Sequence, residues 1–461
     1  MRTPSIVTGC DAVPYDPASH PVTMLGVLIA AFTLLRLGWP GGFALARGGG
    51  GVTDSRGSQR SHSGDEHEGV AVAFVAAGAQ VMRLGDRSHT WKWPATRAID
   101  AVGRSLPGRL VRRSQVLARV AADGTYLRAI LGSASLLAPL AGLALGVAAA
   151  QDAGGEALPP SAPLTIAIAA LGIFDAAAGV LAVLAFTVGV LASGGMDSGA
   201  DLRLLLGLGG LWFAVPLIAG AARPLRRAPA RDLAQAWDRG ADFVIASLVG
   251  AWAVQNIVSA LPALAGVELE IASQADTIAL GVLAALVIRL GFETLASHLY
   301  PKRLDVSEPG DLAEPGRVQR LAASGLRTVL FVFVAYTVVG PRWQLWVGTA
   351  LFLAPQVLAA FDDRLPSWPG LSRVLPRGLP EIVVVLAATT AVALVVRATM
   401  DERSDAFLAD AFVLLALPGC VLAVLALLGR DAADEPLGWG RRAAGVAVLA
   451  IGVALAVGVP S

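Results

Sequence analysis

Asp175 lies in the middle of an apolar run, residues 164–192, between Gly172 and Gly179. An ionised carboxylate in such surroundings is costly unless a cation, water or a proton accompanies it, so by default it marks a pathway or a site. The chemistry open to it is proton uptake and release, or cation ligation. A hydrogen bond between helices is the structural alternative. Arg289 and Glu293 stand four apart in a second apolar run, 275–297, with His298 just beyond. That spacing places the two charges on one helix face within salt-bridge reach. A neutralised pair is a common way to keep charge inside an apolar helix. The same pair could serve as a gate or a proton relay, and Arg289 is also a candidate partner for Asp175. Gln255 and Asn256 sit mid-run in 241–265. Adjacent helical positions point about 100° apart, so at most one of them faces a given neighbour. They suit either interhelical hydrogen bonding or contact with a polar substrate.

Little else in the chain suggests chemistry. There is no Gly-x-x-x-x-Gly-Lys-Ser/Thr loop, no His-Glu-x-x-His, no Gly-x-Ser-x-Gly and no Cys-x-x-Cys. We therefore assign no catalytic residue, no cofactor and no resident metal. The loop 47–69 holds His62, Asp65, Glu66, His67 and Glu68, which read better as a solvated Gly/Ser-rich segment than as a metal site. Asp362 and Asp363 lack neighbours that would complete a Mg²⁺ site. Cys10 and Cys420 are too differently placed to pair, so the redox compartment is not legible.

The elements that must position these residues follow from composition. Of 461 residues, 55% are hydrophobic and only 15% charged, whereas ordinary globular domains carry about 25% charged residues. Mean hydropathy is +0.64. Repeated apolar runs of about twenty residues define an all-α, polytopic membrane bundle with about 10–12 membrane segments. This excludes a nucleic-acid-binding protein, a secreted disulfide scaffold and a largely disordered chain. Residues 1–69 read as a polar N-terminus, a first span over about 22–46 and the flexible loop. The small residues Ala44 and Ala46 leave cleavage of that first span open, but Arg36 interrupts the signal-like core and favours retention. Residues 70–125 read as a short apolar helix, too short to cross, followed by a basic surface segment. Residues 126–461 form the main bundle, with runs at 126–150, 164–192, 202–222, 241–265, 275–297, 321–340, 343–361, 381–400, 406–428 and 443–459.

Within 85–128, Arg109, Arg112, Arg113 and Arg119 alternate with Leu110, Leu117 and Val120 at near-helical spacing. We read a basic amphipathic helix on the cytoplasmic leaflet, with docking of a protein partner as the competing use. Trp91 and Trp93, either side of Lys92, suit the headgroup level.

Arginine placement puts loops 223–239, 298–320, 362–380 and 429–442 inside, and the C-terminus outside. Counting backwards, 202–222 must run inward and 126–150 outward. A single span at 164–192 would break that alternation. As one straight helix its twenty-nine residues would measure about 43 Å, too long for a core of about 30 Å unless tilted. A re-entrant hairpin with Asp175 near its tip restores the alternation; a tilted helix is the alternative. These features favour a transporter or permease moving a small solute or ion, with the lipid bilayer as its surroundings. The alternative is a non-catalytic scaffold that docks a protein partner, or a second copy, at the cytoplasmic face.

Overall fold

The structure is a computed structural model. It describes Met24 and residues 96–111, 113–214, 233–300, 303–304, 316–361, 364–366, 368, 379–400 and 406–429. Among the described residues the chain is almost entirely helical, with one isolated bridge and no strand. Six helical stretches are long and apolar enough to cross a membrane: Leu117–Asp152, Phe243–Ala265, Glu270–Ser297, Arg317–Val339, Trp343–Ala360 and Phe407–Leu428. The expected first span (except Met24), the loop 47–69, the run 70–84, Trp91, Trp93 and the last run 443–459 lie outside the described residues.

The basic stretch forms two helices, not one: α1 (Thr96–Leu110) and α2 (Gln115–Asp123). Ser114 caps α2, its hydroxyl accepting from the Leu117 N–H at 3.4 Å. The run read as a simple span from 126 is an elbow. It consists of α3 (Thr125–Leu131), a 3-10 turn (Gly132–Leu136) and α4 (Leu137–Asp152). Gly132 makes the bend with φ 62, a conformation that costs a residue with a β-carbon far more. Hydropathy is continuous through the bend, so the apolar pattern did not reveal it.

Residues 162–192 are likewise two helices, α5 (Ala162–Phe174) and α6 (Ala176–Ala192), with Asp175 extended between them (φ −145, ψ 111). They form a hairpin. Gly172 and Gly179 meet across it, and Glu156 before α5 bridges Gly195 after α6. At 1.5 Å per residue α5 is about 20 Å long and α6 about 26 Å. A straight tilted helix is not what forms here. α4 runs beside α6 with their backbones in contact: a β-carbon on Gly142 or Gly146 would stand 2.3 Å from the carbonyl oxygen of Ala178 or Ala182. Small residues permit this approach.

α7 (Gly199–Gly209) starts on a reciprocal cap between Ser198 and Asp201 and runs into a π turn, Gly210–Ala214. Fully buried Trp212 packs edge-on against Phe186 of α6 at 5.5 Å. α8 (Leu233–Ala265) and α9 (Ala275–Leu299) are antiparallel neighbours, with Gly250 against Leu286. α10 (Arg317–Val339), α11 (Trp343–Ala360), α12 (Leu379–Thr399) and α13 (Phe407–Leu428) complete the described bundle. Two apolar cores result. One lies among α4–α9; the other joins α8 and α10–α13 with Met24. Phe331 stacks on Phe352 and Phe412 at 4.4 and 5.7 Å at the centre of the second.

The two ends of the bundle differ in charge. Asp152, Glu156, Asp197, Asp201, Glu268, Glu270, Asp276 and Asp410 lie at one end, where Arg203, Arg342 and Arg397 also sit. The other end gathers the arginines of α1 and α2 with Arg128, Arg303, Arg317 and Arg320. Cross-bonds tie that end together: Gln319 Nε2 donates to Val111 O (3.2 Å), Arg303 Nε to Arg128 O (3.4 Å) and Arg320 Nη1 to Ala359 O (3.1 Å).

Candidate functional site

The break at Asp175 leaves free backbone groups on both sides: carbonyls at the end of α5 and N–H groups at the start of α6. Buried away from water, such groups need partners, and the two helix ends carry opposite partial charges. Side chains of matching sign supply them. At the start of α6, Ala176 N–H donates to Asp123 Oδ2 (3.1 Å) and Ala177 N–H to Asp175 Oδ1 (3.0 Å). At the end of α5, Tyr126 Oη donates to Phe174 O at 2.7 Å and Arg289 Nη1 donates to Ile173 O.

Arg289 is the hub. It comes from the fourteenth position after the start of α9, about 21 Å along that helix. Its Nη2 donates to Asp123 Oδ1 at 2.8 Å and to Glu293 Oε1 at 3.0 Å, and its Nε reaches Glu293 Oε1 at 3.1 Å. The guanidinium faces the Tyr126 ring at 5.6 Å. Arg289, Glu293 and Tyr126 are fully buried, and Asp123 nearly so. Asp123 thus uses both oxygens, one on the arginine and one on α6. Phe174 packs edge-on against Phe292 at 6.3 Å and screens the group along α9.

Asp175 is the acid that the arginine does not bond. Its carboxylate rests against Gly124, where a β-carbon would stand 3.1 Å from Oδ2. It retains 7% exposure, more than any other acid of the group. Arg128 lies alongside, its Nη2 donating to Thr125 Oγ1 (2.9 Å) and Nη1 to Ala121 O (3.3 Å), while its guanidinium packs on Gly103 of α1.

The fold therefore brings Asp175, Arg289 and Glu293 together, as their types suggested. The direct Asp175–Arg289 pair is replaced by Asp123–Arg289. Gln255 and Asn256 are elsewhere. Gln255 Nε2 donates to Asp276 Oδ1 (2.7 Å) in the first turn of α9, and Asn256 Nδ2 donates to Trp252 O (2.8 Å) within α8. Asp276 is thirteen residues before Arg289, about 20 Å along the helix. Arg109 and Arg113 are exposed on the α1–α2 segment and Arg119 is half-buried on α2. Arg112 and the His298 side chain lie outside the described residues. Asp410 accepts from Gln344 Nε2 at 2.9 Å, in the second core.

Asp123 and Tyr126 escaped the sequence reading. The available signal was an acid followed by glycine, Asp123-Gly124, in a stretch otherwise rich in arginine: a helix stop inside an apparently continuous helix. Among the described residues no group of three or more His, Cys, Asp or Glu side chains is arranged to hold a metal ion. Chemically, the arrangement can hold or exchange one positive charge among three carboxylates. No known protein family, characterised protein sequence or solved structure matches the chain.

Proposed function

We propose that the chain is a multi-pass membrane permease that moves a small solute or ion, with the tip of the α5–α6 hairpin as its coupling site. The observation that carries this reading is the helix break at Asp175. Three carboxylates and one buried guanidinium converge there on two helix ends. Half-helices whose ends meet a charged site within the membrane are a recurring way to build transport sites. Non-helical backbone at that depth is tolerated only inside protein or beside water. Six helices of spanning length support the multi-pass setting. The hairpin supports re-entry: its two halves are shorter than a bilayer core of about 30 Å, and the chain enters and leaves at the acidic end of the bundle. In this reading that end is outside, the arginine-rich end is cytoplasmic by the positive-inside bias, and the C-terminus is outside.

Asp175 is the acid that takes up and releases the coupling ion. Arg289 alternates between the Asp123/Glu293 pair and Asp175, and so senses whether Asp175 is occupied. Gln255 lies on the outward side of this site, where a pathway from the acidic end would pass.

The test is flux in proteoliposomes, read with a pH-sensitive dye and with a monovalent-cation dye under an imposed gradient. Wild-type protein should move charge or protons, and Asp175→Asn should abolish movement while incorporating equally well. Equal flux through both proteins removes the coupling role. Single cysteines at Ser161 and Ser193, on a Cys10→Ser, Cys420→Ala background, test the hairpin separately. An impermeant maleimide on intact cells should label both, since each is exposed at the acidic end. Labelling of only one of them makes 162–192 an ordinary crossing.

A further inference from the structure

We propose that α1 and α2 form an arm seated in the headgroup layer of an anionic leaflet, with its arginines on lipid phosphates, and that this seat holds Asp123 in place at the hairpin tip. The proposal rests on the membrane-spanning reading above. Val102 and Leu106 lie one turn apart on α1 and are 57% and 40% exposed. Arg109, seven residues after Val102, extends the same stripe and is exposed. Gly103 and Pro107, on the neighbouring face, are buried, and Gly103 packs on Arg128. Leu117 of α2 is 46% exposed, and Arg113 in the turn between the helices is exposed. Residues 96–123 contain Arg97, Arg104, Arg109, Arg112, Arg113 and Arg119 against Asp100 and Asp123. An apolar stripe bordered by arginines is the pattern of an interfacial helix, whose side chains carry their charge up to the phosphates.

Two features favour lipid over a protein partner. Among the described residues the exposed large apolar side chains of the stripe are Val102, Leu106 and Leu117, a narrow strip beside the surface of about 800 Å² per partner that a stable protein interface buries. The arm also runs directly through α3 into α4, part of one apolar stretch, Leu117–Asp152, which keeps it at the bilayer surface.

The arm is joined to the site at two points. α2 ends on Asp123, which bonds both Arg289 and the start of α6. Arg128 bonds Thr125 of α3 and seats Gly103 of α1. A displacement of the arm therefore moves a ligand of Arg289. Anionic lipid is predicted to stabilise the closed ion-pair arrangement, because its phosphates attract each arginine near the surface.

The experiment uses the full chain on the Cys10→Ser, Cys420→Ala background with Leu106→Cys carrying bimane. The protein is placed in nanodiscs of phosphatidylcholine with or without phosphatidylglycerol, doped with lipid bearing a nitroxide near the headgroup. Quenching should be several-fold stronger with phosphatidylglycerol. Arg109→Gln with Arg113→Gln should reduce it to the phosphatidylcholine level, and should lower the melting temperature in phosphatidylglycerol discs to its value in phosphatidylcholine, because the seat no longer holds Asp123. High salt should do the same to the unsubstituted arm, because the screening length falls to about 3 Å at 1 M. A melting temperature that depends on neither lipid nor these arginines overturns the link to Asp123. Equal quenching in both lipids overturns phosphate recognition. No quenching in either lipid overturns the seat altogether and hands the stripe to a protein partner. If the maleimide labelling fails while lipid-dependent quenching persists, the hairpin reading falls and the arm stands.

Discussion

The α2–α9 half and the α10–α13 half are both built largely from apolar sequence but solve different problems. In the second half the helices run 18 to 23 residues without a break, and the core is an aromatic stack of Phe331, Phe352 and Phe412. Its interhelical polar contacts are modest, among them the part-buried Gln344–Asp410 bond. In the first half the chain is interrupted at Gly132 and at Asp175, and there the fully buried charges gather. The comparison shows why the charges are there. An uninterrupted helix satisfies its own backbone inside an apolar medium, whereas a broken one exposes four N–H or four carbonyl groups at each end. Arg289, Asp123, Asp175 and Tyr126 supply what the break at Asp175 leaves open.

Substitutions that act on one half only can break or sharpen this contrast. The largest effect is expected for Arg289→Ala, which leaves Asp123 and Glu293 buried without their cation. Removing one partner of a buried pair costs about 3–5 kcal/mol, so the melting temperature in detergent should fall steeply or the protein should fail to accumulate. A melting temperature near wild type would mean that the group is not buried as described. Gly142→Leu comes next. Its side chain meets the Ala178 carbonyl on α6 and forces α4 away from the hairpin, an overpacking cost of about 1–3 kcal/mol or more. Cysteine cross-linking between positions 150 and 189, where Ala150 and Gly189 touch, should become less efficient in that variant.

Asp175 separates structural from functional roles. Asp175→Ala removes the cap on α6 and should cost about 1 kcal/mol, while Asp175→Asn keeps a capping oxygen and should cost a few tenths. Loss of flux in Asp175→Asn at nearly unchanged stability would place the carboxylate's charge in transport. A large stability loss in that same variant would make it structural. The smallest effect belongs to the second half: Gln344→Leu removes an interhelical bond worth about 0.6 kcal/mol on average in such settings. If Gln344→Leu proved as damaging as Arg289→Ala, the contrast between the halves would collapse.

The contrast also explains which parts could be read in advance. The helices of the second half appear in the sequence nearly to their ends: runs 321–340, 343–361, 381–400 and 406–428 against Arg317–Val339, Trp343–Ala360, Leu379–Thr399 and Phe407–Leu428. There hydropathy alone marks the boundaries, because each run is one helix bounded by polar loops. In the first half it marks the apolar runs but misses Gly132, and the break at Asp175 is reached through the conflict in loop charges together with the excess length of run 164–192. The Arg289–Glu293 contact is local, four residues along one helix, and its spacing announces it. Asp123 is 166 residues from Arg289, and Tyr126 is 48 from Phe174. Locally Asp123 is marked only by the glycine that follows it, which signals a helix stop and says nothing of a partner.

By itself, then, the sequence determined the helical class, the apolar runs of spanning length, the uneven distribution of arginines and the presence of an acid and an ion pair in apolar runs. These are consequences of side-chain type and helical period, which act over a turn or a window of twenty residues. The tertiary structure decided which carboxylate takes the arginine, where the elbow folds under the hairpin, and that Gln255 and Asn256 stay apart from the charged group. Those outcomes depend on how α3, the hairpin and α9 meet. There, bare helix ends, close-packed glycines and one guanidinium must all be satisfied together, and that requirement links residues far apart in the chain.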